Sequence, residues 1–233
     1  MKNYLLLLLI IAFTVALPLL SEMATGMVVF DNLPKIINKQ LIYQSLTLLS
    51  TIAFLGILRF CKPTVFQIYF KKGKVTAPII PVPEMGIQPK PQENWGHVGR
   101  NFAIVISLVT TFIIYFQVIK SNTIPFGKIL YVLPFGIVFS LTNSFVEEMI
   151  TRFGVVVALK GVFSDKVIAF IAAIIFGIVH YWGTPGGMTG VLTAGFLGWF
   201  LAKSILETQG IFWAWFIHFL QDVIILTALF TIS

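Results

Sequence analysis

Apolar runs separated by short polar breaks fill most of the chain. Residues 5–20, 41–58, 101–119, 130–159, 167–182, 187–206 and 211–229 are almost free of charge. At 1.5 Å rise per residue, each is long enough to cross all or most of a hydrocarbon core ~30 Å thick. The pattern predicts seven membrane-spanning helices. The run 130–159 exceeds the need of one crossing and carries Pro134 and Gly136 near its start, so a kink or break is expected there. Residues 21–39 are mixed, with room for a short re-entrant or interfacial helix around 23–30 that would bring the total to eight. Residues 62–99 form a long polar stretch. Five prolines between 77 and 91 (Pro78, Pro81, Pro83, Pro89 and Pro91) suit an extended connector rather than a helix.

Composition agrees. Hydrophobic residues make up 58%, charged residues 11%, and mean hydropathy is +0.94. A soluble domain carries about a quarter charged residues, which excludes a water-covered surface here. The fold class is all-α, a polytopic membrane helical bundle of about 7–8 transmembrane helices. It divides into 1–129, spans with a basic Pro-rich loop, and 130–230, a membrane core. Lys2 before the first run resembles a signal peptide, but no small-x-small cleavage site follows Leu20, so a retained first span is expected.

Charge placement refines this picture. Arg59, Lys62, Lys71, Lys72, Lys74, Lys90 and Arg100 lie together, opposed only by Glu84 and Glu93. A basic loop between spans reads as cytoplasmic, and membrane lipids are the partners it implies. No nucleic acid partner is indicated, because such loops are normal in membrane proteins. With Lys2 and this loop inside, seven spans leave the C terminus outside. Trp182, Trp199, Trp213 and Trp215 fall near span ends, where interfacial belts favour aromatics. Cys61 is the single cysteine, so no intrachain disulfide forms. The Gly-rich run Gly187, Gly190, Ala194, Gly195, Gly198 lets helices pack closely.

Against this background the buried ionisable residues stand out, since a carboxylate at membrane depth costs about 2–3 kcal/mol even on gentle insertion scales. They fall into three groups: Glu147, Glu148 and Arg152; His180; and His218 with Asp222. Of the three histidines only His97 lies in the polar loop. Glu148 and Arg152 are four apart and can pair, while Glu147 lies about 100° round the helix and stays available. Phe176 and His180 share a face, as do His218 and Asp222. A free carboxylate, two imidazoles and a further carboxyl suit hydrolysis. Glu147 would deprotonate water, a histidine would orient it or protonate the leaving amine, and the remaining His and Asp would hold the oxyanion or bind a metal. Singly, each group has a plainer reading: a structural ion pair, a packed histidine, a chance His–Asp spacing. The rival class is a non-catalytic protein using the same groups as a proton or cation relay, or an immunity or scaffold factor that cuts nothing.

Glu147-Glu148-x-x-x-Arg152, Phe176-x-x-x-His180 and His218-x-x-x-Asp222, in this order, resemble the three motifs of the CAAX-processing and bacteriocin-processing (CPBP) intramembrane endopeptidases. That family includes the type II CAAX prenyl proteases and lysostaphin-resistance-protein-like bacterial membrane proteins. The resemblance covers roughly residues 130–229. It implies a conical chamber within the bilayer and a lipid-anchored or membrane-inserted peptide substrate, either prenylated CAAX or bacteriocin-related. It also implies Glu147 as the base assisted by His180, Glu148 and Arg152 in support, and His218 with residue 222 at the oxyanion. It implies glutamate dependence more than plain zinc dependence; for a divalent metal such as Zn, the candidate ligands are Glu147, His180, His218 and Asp222. The expected location is a bacterial plasma membrane. Two positions depart from the pattern. Phe153 stands where Gly is commoner, and Asp222 where Asn is commoner. An amide donates to an oxyanion and an ionised carboxylate repels it, so Asp222 is protonated, or orients His218, or helps bind a cation.

Overall fold

The computed structural model describes residues 2–122 and 124–233. Its helices are α1 (Lys2–Met23), α2 (Lys35–Cys61), α3 (Pro63–Tyr69), α4 (Trp95–Ile114), α5 (Phe126–Glu147), α6 (Gly154–Leu159), α7 (Asp165–Val179), α8 (Gly187–Thr208) and α9 (Phe212–Ile232). π-Helical turns extend α4 through Tyr115–Ile119 and join α5 to α6 through Glu148–Phe153. Among the described residues, seven continuous helical segments are long and apolar enough to cross a membrane: α1, α2, Trp95–Ile119, Phe126–Leu159, Asp165–Trp182, α8 and α9. The protein is an all-α integral membrane protein, and the span count falls at the lower of the two expected values.

The outward faces are apolar, as lipid requires: Leu5, Leu8, Leu49, Leu108, Phe112 and Phe170 are all exposed. With lipid as apolar as leucine, helix association rests on close packing rather than on the hydrophobic effect. α7 and α8 show how. A Cβ on Gly177 would lie 3.0 Å from Val191 O and 3.1 Å from the Cα of Gly195, so the two backbones meet where side chains are missing. α5 and α4 both pack on α9. α6, with Val155–Leu159 wholly buried, is enclosed by α1, α2, α3, α7 and α8.

Several local expectations are corrected. No helix forms at 23–30, because α1 ends at Met23 and Asn38 ties down the turn that follows. Asn38 Oδ1 accepts from the amides of Val29 and Phe30, at 2.8 Å each. Its Nδ2 donates to Phe30 O at 2.9 Å and Leu33 O at 3.1 Å. No break forms at Pro134, since helix α5 is continuous through it, and a π turn follows at the carboxylates. The polar stretch ends at Asn94, whose side chain accepts from Gly96 N and caps α4. His97 therefore sits exposed on the first turn of α4 rather than in a loop.

The connector is extended, but it is also docked. Lys74 N donates to Thr208 O and Ile211 N to Lys71 O. Trp95 Nε1 donates to Glu207 Oε2 at 2.8 Å, and Lys203, paired with Glu207, donates to Ile80 O at 2.7 Å. Trp213 is buried with its Nε1 on Val75 O, so it holds the connector rather than sitting in an interfacial belt. Trp182 is largely exposed.

Candidate active site

The three polar groups of the sequence converge on one cavity of about 900 Å³. Glu147 ends α5 and opens onto the cavity. Glu148 begins the π turn and is wholly buried. π turns inside α-helices are frequent at functional sites. Here the hydroxyl of Thr151 donates to Glu147 O at 2.6 Å and accepts from Arg152 Nη1 at 2.8 Å, which ties the irregular turn together.

Glu148 and Arg152 pair at 3.2 Å with neither side chain exposed. The Arg152 guanidinium carbon lies 3.3 Å from the centroid of the Phe176 ring, so its charge is met by a carboxylate and an aromatic face. The same ring lies 4.1 Å from the His180 ring and 5.6 Å, edge-on, from His218. Phe176 is the hub that spaces the cation and the two imidazoles.

His218, from α9, reaches into the carboxylates. Its Nδ1 lies 2.7 Å from Glu148 Oε1. Carboxylates only accept, so this bond places a proton on Nδ1, and Nε2, turned to the other two acids, carries the second proton of an imidazolium. Nε2 lies 3.4 Å from Asp222 Oδ1 and 3.6 Å from Glu147 Oε2. His180 caps α7, with Nδ1 2.7 Å from Phe176 O. A carbonyl also only accepts, so the Nε2 lone pair of a neutral His180 is free. His180 lines the cavity with Glu147, His218 and Asp222.

The structure adds a residue to this set. Asn143, one helical turn before Glu147, donates from Nδ2 to Glu147 Oε1 and to Asp222 Oδ2, at 3.0 Å each. Its i,i+4 spacing from Glu147 was the available signal. Thr14 of α1 and Tyr43 of α2 also line the cavity, so the N-terminal spans contribute to its wall. Most of the remaining lining is apolar, including Val105 and Val109 of α4 and Leu192 and Phe196 of α8.

The donors named for a metal fit one poorly. Among the described residues, no three His, Cys, Asp or Glu side chains are grouped to hold an ion. Both histidine Nδ1 atoms are engaged by protein oxygens, and His218 Nε2 faces two carboxylate oxygens, at 3.4 and 3.6 Å.

Residues 129–224, a window holding all three polar groups, match the family model for type II CAAX prenyl endopeptidase Rce1-like. No curated protein and no solved structure matches the chain. Through residues 129–224, therefore, this membrane protein is similar to the type II CAAX prenyl endopeptidase Rce1-like family.

Proposed function

We propose that the protein is an intramembrane endopeptidase that uses Glu147 as its base on a lipid-anchored or membrane-inserted peptide, a prenylated CAAX-type C terminus being the substrate class that the family's name supplies. The observation that carries this reading is the division of labour between adjacent carboxylates. Glu148 is buried and paired with Arg152, while Glu147 faces a cavity with apolar walls.

The reaction then follows from the groups present. Glu147 takes a proton as the water oxygen attacks the carbonyl carbon of the scissile amide. His180 Nε2 accepts the water's other hydrogen as a hydrogen bond and orients it. The carbonyl electrons move to oxygen, and His218 Nε2–H donates to the oxyanion. As the C–N bond breaks, the proton held by Glu147 passes to the leaving nitrogen. One water is consumed, giving a carboxylic acid and an amine, or after proton exchange a carboxylate and an ammonium. Asp222 orients His218 through its Oδ1, which is the geometry favoured among the three alternatives open for that residue.

The test is cleavage of a fluorogenic prenylated C-terminal peptide by purified protein in detergent, with Glu147→Gln alongside and with and without chelator. Wild type is expected to cut in both conditions and the variant to lose at least ~100-fold in kcat, on the order of what a general base contributes. Equal turnover by the variant would overturn the assignment of Glu147. Loss of wild-type activity in chelator would overturn the metal-free route.

A further inference from the structure

Within the site as proposed, and resting on that reading, two acids face one imidazole and something must decide which oxygen of each addresses it. We propose that Asn143 is that positioning residue: its amide group ties one oxygen of Glu147 and one of Asp222, and so directs the other oxygen of each toward His218.

The contacts sort cleanly. Asn143 Nδ2 holds Glu147 Oε1 and Asp222 Oδ2, whereas His218 Nε2 faces Glu147 Oε2 and Asp222 Oδ1. No oxygen appears in both sets. A primary amide has two N–H bonds, and both are used. The orientation of the amide is itself fixed, because Asn143 Oδ1 lies 3.3 Å from Gln44 Nε2, and Gln44 Oε1 accepts from Thr142 Oγ1 at 2.9 Å. Turning the amide over would set its oxygen against two carboxylates and its nitrogen against a donor. Gln44 is buried on α2, so the arrangement is anchored from a different helix.

In chemical terms the amide lets two acids share a small volume without rotating freely. Freed of it, Glu147 would present either oxygen, at variable distance, to the bound water. Misplacement of a reacting group by 1 Å costs on the order of 100-fold in rate. The effect belongs to the chemical step, since the side-chain contacts of Asn143 go to Glu147, Asp222 and Gln44.

The experiment compares wild type, Asn143→Ala, Asn143→Asp and the exchange Asn143→Asp/Asp222→Asn in the peptide assay, with thermal unfolding as the control for folding. Asn143→Ala is expected to lose ~10- to 100-fold in kcat with KM changed less than ~3-fold. Asn143→Asp keeps the shape but removes both donors, and should lose more. The exchange restores one amide facing one acid between positions 143 and 222, and should regain at least ~10-fold over Asn143→Asp. A kcat for Asn143→Ala within ~3-fold of wild type, or an exchange no better than the single variant, would overturn the proposal. Infrared difference spectra between wild type and Asn143→Ala give a readout without turnover. Carboxylate stretching bands should appear in the difference, and a spectrum without them overturns the contacts even if wild type cuts nothing, the result that defeats the proposed function itself.

Discussion

Replacing Arg152 with Met is the sharpest test of how the buried charges are held. The guanidinium is fully buried, lies 3.2 Å from Glu148, donates to Thr151 and covers the Phe176 ring. Methionine fills much of the volume but leaves Glu148 with His218 as its remaining polar side-chain partner, and Glu148 Oε2 has no hydrogen bond to begin with. Breaking a buried pair by removing one partner costs about 3–5 kcal/mol, mostly as an uncompensated charge. The loss of a desolvated cation–π contact, about 2 kcal/mol, overlaps with that figure and pushes toward its upper end. Adding Glu148→Gln removes the stranded charge and should recover about half of the loss. The assay is equilibrium unfolding in mixed micelles, followed by tryptophan fluorescence. A loss below ~1 kcal/mol for Arg152→Met, or a double variant less stable than the single, would refute the idea that Arg152 compensates the buried charge of Glu148.

Other expectations follow from close contacts elsewhere. A Cβ at Gly190 would lie 2.4 Å from His180 O and 2.2 Å from Pro185 O, so Gly190→Ala must push the His180 turn aside. It should lower kcat by ~10-fold or more while thermal unfolding shows a folded protein. Asn38→Ala removes a side chain that bonds Val29, Phe30 and Leu33. It should cost about 1–3 kcal/mol in stability and open residues 24–34 to limited proteolysis, and an unchanged cleavage pattern would count against that anchoring role.

The spans were legible because lipid demands uniformly apolar helices, and a window of hydropathy reports that directly. Glu147, Glu148 and Arg152 were legible as a unit for the opposite reason, since charge is costly among such residues. The connector's docking was not. Trp95 meets Glu207 across 112 positions, and nothing local marks that pairing. Trp213 sits at a span end like a belt residue, and only its bond to Val75 O shows that it faces inward. The π turn was equally hidden, because Thr151 and Arg152 satisfy it through side chains that an ordinary α-helix would also accept. Asn143 was readable in part: four residues before Glu147 it must share its face, but its second partner, Asp222, comes from another helix.

The π turn has one more effect, which concerns phase. An α-helix advances about 100° per residue, and a π turn accommodates more residues per turn than that. The residues of α6, all buried, are therefore out of register with those of α5. Shortening the turn by one residue, at Met149 for instance, would return the segment to continuous α geometry and leave α6 in nearly its present orientation. Arg152 would then stand three residues from Glu148, and Thr151 three from Glu147, instead of four each, so both contacts would shift. The number of residues between Glu147 and Gly154 is thus as much a part of the site as their identities.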